Sequence, residues 1–249
     1  MLEAGKWQSD PRVPDLPAGR WGATSVSVPA GVIVMGGREN NYQQNLMNST
    51  SVVLHNKGPP GSTGLAWQEG PVLQGFGAED SCSVAVGHSV FLTGGGAWGS
   101  GFANQVRELD TSTWEWQEQG KWPQLGGLGR VFHGCAVLKS HLFVAGGQDS
   151  RVNGFPLDTT ATLDLGTWGA RWQKGGRLKL PKYLHAMVTM GPAGQEKLYA
   201  LGGAYSEMLD NVEVWDEESR TWREELERLP RGRGNMGALA VTEAEVCKK

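Results

Sequence analysis

An apolar run closes on a Gly-Gly pair four times along the chain: Val32-Ile33-Val34-Met35-Gly36-Gly37, Val90-Phe91-Leu92-Thr93-Gly94-Gly95, Leu142-Phe143-Val144-Ala145-Gly146-Gly147 and Leu198-Tyr199-Ala200-Leu201-Gly202-Gly203. The steps between the first glycines are 58, 52 and 56 residues. A period of that size makes the repeat the unit of folding, because one such unit is too small to bury its own apolar faces. A second short apolar run precedes each Gly-Gly, over residues 24–28, 82–86, 135–138 and 186–190. The two runs are separated by Pro29-Ala30-Gly31, Gly87-His88, Lys139-Ser140 and a longer loop over 191–197. Two apolar runs joined by a short polar or glycine turn predict a β-hairpin.

After each Gly-Gly comes a variable polar loop, a third strand and a tryptophan. The third strands are Val52-Val53-Leu54, Val106 to Asp110, Leu163-Asp164-Leu165 and Val212 to Asp216, followed by Trp67, Trp116, Trp172 and Trp222. Asp110 precedes Trp116 by six residues, and Asp216 precedes Trp222 by the same number. Each unit is therefore expected to hold four short strands with the tryptophan on the fourth. The first unit also carries a Pro/Gly-rich insertion over 58–64. The paired glycines (Gly36, Gly37, Gly94, Gly95, Gly146, Gly147, Gly202, Gly203) end the second strand where the backbone turns or a neighbour comes close. The tryptophans supply apolar plates between adjacent sheets. Radial stacking of such sheets is a β-propeller.

These motifs, with Arg130-x-x-His133 and Lys182-x-x-His185 at the entry to a first strand, resemble the kelch-repeat family over roughly residues 20 to 226. Repeats of the WD type fit less well, because Gly-His and Trp-Asp dipeptides do not recur at their places. The resemblance implies an all-β, kelch-type propeller in one domain over 1–249. Its blades cover about 20–70, 77–120, 130–176 and 182–226, with a partial blade assembled from 231–249 and 1–10. In that partial blade, Trp7 resembles a fourth-strand tryptophan, 237–241 a first strand, and Glu245-Val246-Cys247 the start of a second. Three outcomes fit this arrangement: a truncated isoform of a larger kelch protein, an open propeller, or a compact ring with a defective seam.

Composition narrows the chemistry. A formal net charge of −3 with a pI near 6.0 carries no strong field, so neither a nucleic-acid nor a membrane partner is expected. The first ten residues, MLEAGKWQSD, lack the basic and apolar regions of a secretory signal. Cys82, Cys135 and Cys247 form no CxxC and no metal spacing; an odd count favours reduced thiols in the cytosol or nucleus, with Cys82 and Cys135 as small buried hydrophobes.

The loops after the Gly-Gly pairs and the loops after the tryptophans are expected on one face. That face gathers Arg38, Asn40, Asn41 and Tyr42; Trp98 and Phe102; Gln148, Asp149, Arg151, Asn153 and Phe155; and Tyr205 with Glu207. Arginine and exposed aromatics are the residue types enriched at binding hot spots. Arg38, Asn40, Tyr42, Trp98, Phe102, Gln148, Arg151, Phe155 and Tyr205 are accordingly the expected contacts to another protein. No catalytic residue, metal ligand or cofactor site is expected. His55, His88, His133, His141 and His185 occupy different positions in the repeat, and no copper set, Glu-x-x-x-Asp-x-x-x-His iron triad, GxSxG or Walker motif is present. Gly94-Gly95-Gly96 with Gly99 and Gly101 lacks the Lys-Ser/Thr and the helix of a phosphate loop.

The expected function is thus a non-catalytic protein-interaction module. The resemblance implies, as an option, a substrate receptor for cullin-based ubiquitin ligases, although no BTB or F-box segment stands in these residues. The alternative is a propeller enzyme or small-ligand binder with its site at the mouth of the central channel.

Overall fold

The computed structural model describes residues 2–3, 6–7, 13–39, 51–56, 64–73, 78–97, 101–127, 129–149 and 154–241. Four antiparallel four-stranded sheets form, each a meander of strands consecutive in the chain. Blade 1 is Arg20–Val28, Gly31–Glu39, Ser51–Asn56 and Leu65–Glu69. Blade 2 is Cys82–Val86, Ser89–Thr93, Val106–Asp110 and Glu115–Trp116. Blade 3 is Gly134–Leu138, His141–Ala145, Thr160–Asp164 and Gln173–Lys174. Blade 4 is Ala186–Met190, Lys197–Leu201, Val212–Asp216 and Thr221–Glu224. No helix occurs among the described residues, so the fold is all-β and propeller-like, with four complete blades.

The tryptophan falls on the fourth strand in blades 1, 2 and 4, whereas Trp172 lies one residue ahead of Gln173–Lys174. Residues 237–241, expected as a fifth first strand, form no strand. Lys6–Trp7 pairs with Leu2–Glu3 and with no blade. Residues 242–249, with Glu245, Val246 and Cys247, lie outside the described residues.

The first strand of each blade lies beside the first strand of the next, around a central channel. The second strands are apolar on consecutive residues, and in blades 2 and 3 both of their faces meet a neighbouring blade. Between blades 3 and 4, Leu138, Phe143 and Ala145 pack on Leu198, Ala200, Trp215 and Trp222. Trp215 stands edge-on to Phe143 and Trp222, with ring centres 5.3 and 5.5 Å away. Each large side chain buried in this way contributes about 2 kcal/mol. The tryptophans also carry a polar anchor. The indoles of Trp67, Trp116 and Trp172 donate to the carbonyls of Pro14, Pro71 and Pro123, at 2.9, 3.3 and 2.9 Å. Trp222, fully buried, donates instead to Thr160 Oγ1 at 2.8 Å.

The Gly-Gly pair is the joint between blades. Both glycines have positive φ in every blade, from +57° to +105°. A Cβ on the first glycine would come within 2.2, 2.4, 2.5 and 2.6 Å of the carbonyl oxygens of Ala78, Arg130, Lys182 and Arg233. The second glycine donates its N–H to those same carbonyls at 3.2, 2.8, 2.8 and 2.9 Å. A side chain would therefore both strain the backbone and wedge the blades apart.

One expectation fails here. Cys82 and Cys135 are bonded as a disulfide, with Cα atoms 5.9 Å apart and a sequence separation of 53. They sit on neighbouring first strands, one blade apart, and the channel-side packing brings them face to face. Neither is a reduced small hydrophobe, and the argument from reduced thiols to the cytosol or nucleus falls with them.

Candidate functional site

One backbone feature recurs at the channel end of the repeat: within the first strand of blade 1, in the links before the first strands of blades 2 to 4, and once more after blade 4. Gly22, Asp80, Phe132, Leu184 and Asn235 all have positive φ, between +53° and +67°. Their backbones are hydrogen-bonded in series: Asp80 N–H to Gly22 O, Phe132 N–H to Asp80 O, Leu184 N–H to Phe132 O and Asn235 N–H to Leu184 O, at 2.8 to 3.0 Å. This belt runs along the mouth of a channel cavity of about 400 Å³, lined by the starts of all four first strands and by Asn235 to Ala238. Its bonds to the Gly-Gly joints place the links and the post-glycine loops at one end of the molecule.

The titratable groups at this mouth are perturbed by burial. Burial raises the Asp80 carboxyl to about 7; the Glu79 charge beside it pushes the same way and Arg38 opposes both. Burial also raises Glu79 above the usual carboxylate range, against the attraction of Arg38. His133 and His185 are pushed down to about 3, first by burial, then by the positive charges of Arg130 and Lys182 respectively. Both imidazoles are thus neutral at pH 7. His133 Nε2 lies 2.8 Å from Thr93 Oγ1 of blade 2. Blade 3 has Ala145 where blade 2 has Thr93, and neither ring nitrogen of His185 has a hydrogen-bond partner. No group of three or more His, Cys, Asp or Glu side chains fit to hold a metal occurs among the described residues.

Several basic groups that look available in the sequence are used inside the fold. Arg38 is 9% exposed, pairs through Nη2 with Glu79 Oε1 at 2.9 Å and stacks 4.0 Å over the Trp21 ring. It ties blade 1 to the link into blade 2 rather than presenting a guanidinium outward. Arg130 bonds the carbonyls of Gly146 and Thr159 at 2.9 and 3.2 Å. Lys182, fully buried, pairs with Glu213 at 2.8 Å and bonds Asn211 at 2.9 Å. The Arg/Lys-x-x-His entry motif therefore does interior work: its cation secures a Gly-Gly joint or a third strand, and its histidine covers the first glycine of the preceding blade.

The nine expected contact residues fall into four groups. Phe155 and Tyr205 are exposed, at 62% and 53%, on loops that their own backbones hold: Leu157 N–H to Gly147 O, Leu209 N–H to Gly203 O and Tyr205 N–H to Glu207 O. Phe102 and Gln148 are half-buried in short strand pairs with Gly96 and Val131. Arg38 is buried. Asn40, Tyr42, Trp98 and Arg151 lie outside the described residues, as do Asn41 and Asn153. Sequence reasoning passed over Met208, exposed near Tyr205, and Asp80, half-buried against the blade 1 backbone at Gly22.

No family model matches the chain. Two curated proteins are similar to it. Kelch-like protein 25 of Xenopus tropicalis is 26% identical over 146 residues, which is 56% of this chain and 23% of that protein. Kelch domain-containing protein 3 of Bos taurus is 28% identical over 153 residues, which is 58% of this chain and 36% of that protein. The matches thus span about a quarter to a third of the length of these relatives. Among solved structures, that of YjhT superposes with a TM-score of 0.74 at 14% identity, covering 90% of this chain and 76% of that one, a likeness of fold. Repeat motifs, relatives and architecture agree on a chain that resembles the kelch-repeat propellers.

Proposed function

We infer that this propeller is a non-catalytic protein-interaction module that takes its partner on the channel-mouth face. The observation that carries this is the exposure of Phe155 and Tyr205, with Met208, on hydrogen-bonded loops of adjacent blades. Large apolar side chains left in water on a preorganised loop cost little further entropy on binding. The kelch relatives are consistent with such a role, and a substrate-recognition propeller is its finer form. Cross-linking and pull-down with the F155A/Y205A double variant test it, with W168A as the control. Trp168 is 96% exposed but lies on the turn between the third and fourth strands of blade 3, at the opposite end of the molecule. Partners lost with the double variant and kept with W168A support the face; equal recovery from both sinks it.

The channel cavity favours a second reading, a small polar ligand held between Asp80 and the unpartnered His185. A thermal-shift screen of small polar metabolites against wild type and H185F distinguishes it. A ligand that stabilises wild type and leaves H185F unmoved supports the cavity as the site.

A further inference from the structure

The channel cavity is lined by five equivalent stretches of four residues, 22–25, 80–83, 132–135, 184–187 and 235–238, and each begins at a positive-φ residue of the belt. Polar and apolar side chains are segregated between them. The sector from blades 1 and 2 is polar, with Thr24, Ser25, Asp80 and Ser83. The sector from blades 3 and 4 is apolar, with Phe132, Leu184, Ala186 and Met187. The two histidines of that sector lean on Gly94 and Gly146 and carry no charge at pH 7. A cavity of about 400 Å³ with one polar and one apolar wall suits an amphipathic small molecule that lies across it.

The charge at the mouth is of one sign. Asp80 is the only Asp or Glu among the lining residues, and none of them is Lys or Arg. Its carboxyl lies across the blade 1 backbone, where a Cβ on Gly22 would come within 2.7 Å of Oδ1. Burial and the Glu79 charge both disfavour the carboxylate, and Arg38, which opposes them, is already paired with Glu79 at 2.9 Å. A second cation at the mouth would supply the countercharge that the fold leaves short. Phe132 follows Asp80 in the belt, its N–H on the Asp80 carbonyl at 3.0 Å. Its ring is tilted against that of Tyr183, with centres 6.2 Å apart, and an aromatic face beside a carboxylate attracts a cation. Further down the polar wall, Thr24 Oγ1 and Ser83 Oγ are hydrogen-bonded to each other at 2.7 Å, with lone pairs left to accept from water or ligand.

We propose that the channel mouth binds a small primary alkylammonium ion, its charged head on Asp80 and its carbon chain on the apolar sector of Phe132, Leu184 and Met187. This rests on the cavity reading given above and supplies the chemistry of its ligand. The ammonium N–H groups donate charge-assisted hydrogen bonds to the carboxylate, which a quaternary ammonium could not. An anion would meet the Asp80 charge with no Lys or Arg in the lining to hold it. A divalent metal ion would find a single carboxylate where it takes about six oxygen ligands, and no metal-holding group of side chains occurs among the described residues. A neutral alcohol would fill the apolar sector but leave the carboxylate without a countercharge.

n-Butylammonium is the probe, with n-butanol and n-butyrate as its neutral and anionic counterparts. At about pH 8 Asp80 is ionised and the alkylamine is still protonated. Methyl NMR titration of the full chain should show saturable binding of n-butylammonium that shifts Met187 in the channel and leaves Met208 on the loop face unmoved. n-Butanol and methylammonium should each bind at least tenfold more weakly, the first for want of charge and the second for want of a chain. D80N, in which asparagine accepts the positive φ, should weaken n-butylammonium at least tenfold and leave n-butanol unchanged. Equal affinity of wild type and D80N for the amine overturns the proposal, as does a response confined to Met208. n-Butanol or n-butyrate binding as tightly as the amine overturns the cation but leaves the cavity reading standing. No binding of any of the three overturns the proposal as well, and the metabolite screen with H185F then decides separately whether the cavity reading falls with it.

Discussion

At the scale of single residues, the joint glycines and the half-buried Asp80 carboxyl are the points where a small change has a large effect. Gly146 has φ +60°, and a Cβ there would meet the Lys182 carbonyl at 2.5 Å and the His185 ring at 2.7 Å. Gly87, at φ +59°, would meet nothing within 4 Å. G87A should therefore cost only the left-handed backbone strain, about 1 kcal/mol. G146A adds the displacement of a backbone joint, and the total should reach about 3 kcal/mol. Urea midpoints of the two variants check the difference; equal midpoints would show that the joint is not under steric control. Asp80 supplies a pH signature. Its folded pKa, about 7, lies above its unfolded value, so ionisation favours the unfolded chain. The cost is absent below about pH 4, grows as pH rises toward 7 and is constant above that. D80N keeps a residue type that tolerates positive φ, so its stability gain over wild type should grow across the same interval in thermal melts. His133 and His185 act in the opposite window: their folded values lie below the unfolded one, and the stability they carry is lost as pH falls from about 6.5 toward 3.

At the scale of elements, the inter-blade disulfide separates what the sequence shows from what it hides. Cys82 and Cys135 close a loop of 53 residues, and the chain-entropy model gives such a loop about 4 kcal/mol. C82A/C135A should lower the unfolding free energy by up to that amount, and reductant should lower the wild-type melting temperature but leave the variant's unchanged. Peptide mapping without reduction detects the crosslink directly, and free thiols at both positions would refute it. The Gly-Gly pairs, hairpin turns and Asp-to-Trp spacings were legible because each acts within one repeat. The disulfide was not, since it joins two repeats; its separation of about one repeat was the available clue. Asp80, Phe132 and Leu184 hid for a different reason. Their positive φ is imposed by the hydrogen-bonded belt around the channel, not by a glycine or turn signature. Arg38 looked like a surface cation because its partner Glu79 lies in the link into blade 2 and its stacking ring Trp21 stands across from it on the first strand of blade 1, neither of which the Gly-Gly repeat signals.

At the scale of the whole molecule, stability should follow how many faces of a blade are covered. Blades 2 and 3 each have a blade on both sides, and their second strands bury Val90, Phe91 and Leu92, and Leu142, Phe143 and Val144, to 5% exposure or less. Among the described residues, blades 1 and 4 each meet only one neighbouring blade, and on their other faces Val32, Val34, Tyr199 and Leu201 remain half-buried. Repeat folds of this kind gain much of their stability from the interfaces between neighbours, so a blade with one interface opens at lower free energy than a blade with two. Native-state hydrogen exchange should therefore find the amides of Ser89–Thr93 and His141–Ala145 the slowest, and those of Lys197–Leu201 faster by at least about tenfold, or 1.4 kcal/mol. Uniform protection across the four second strands would mean that the outer faces of blades 1 and 4 are covered in solution as well as those of the central blades.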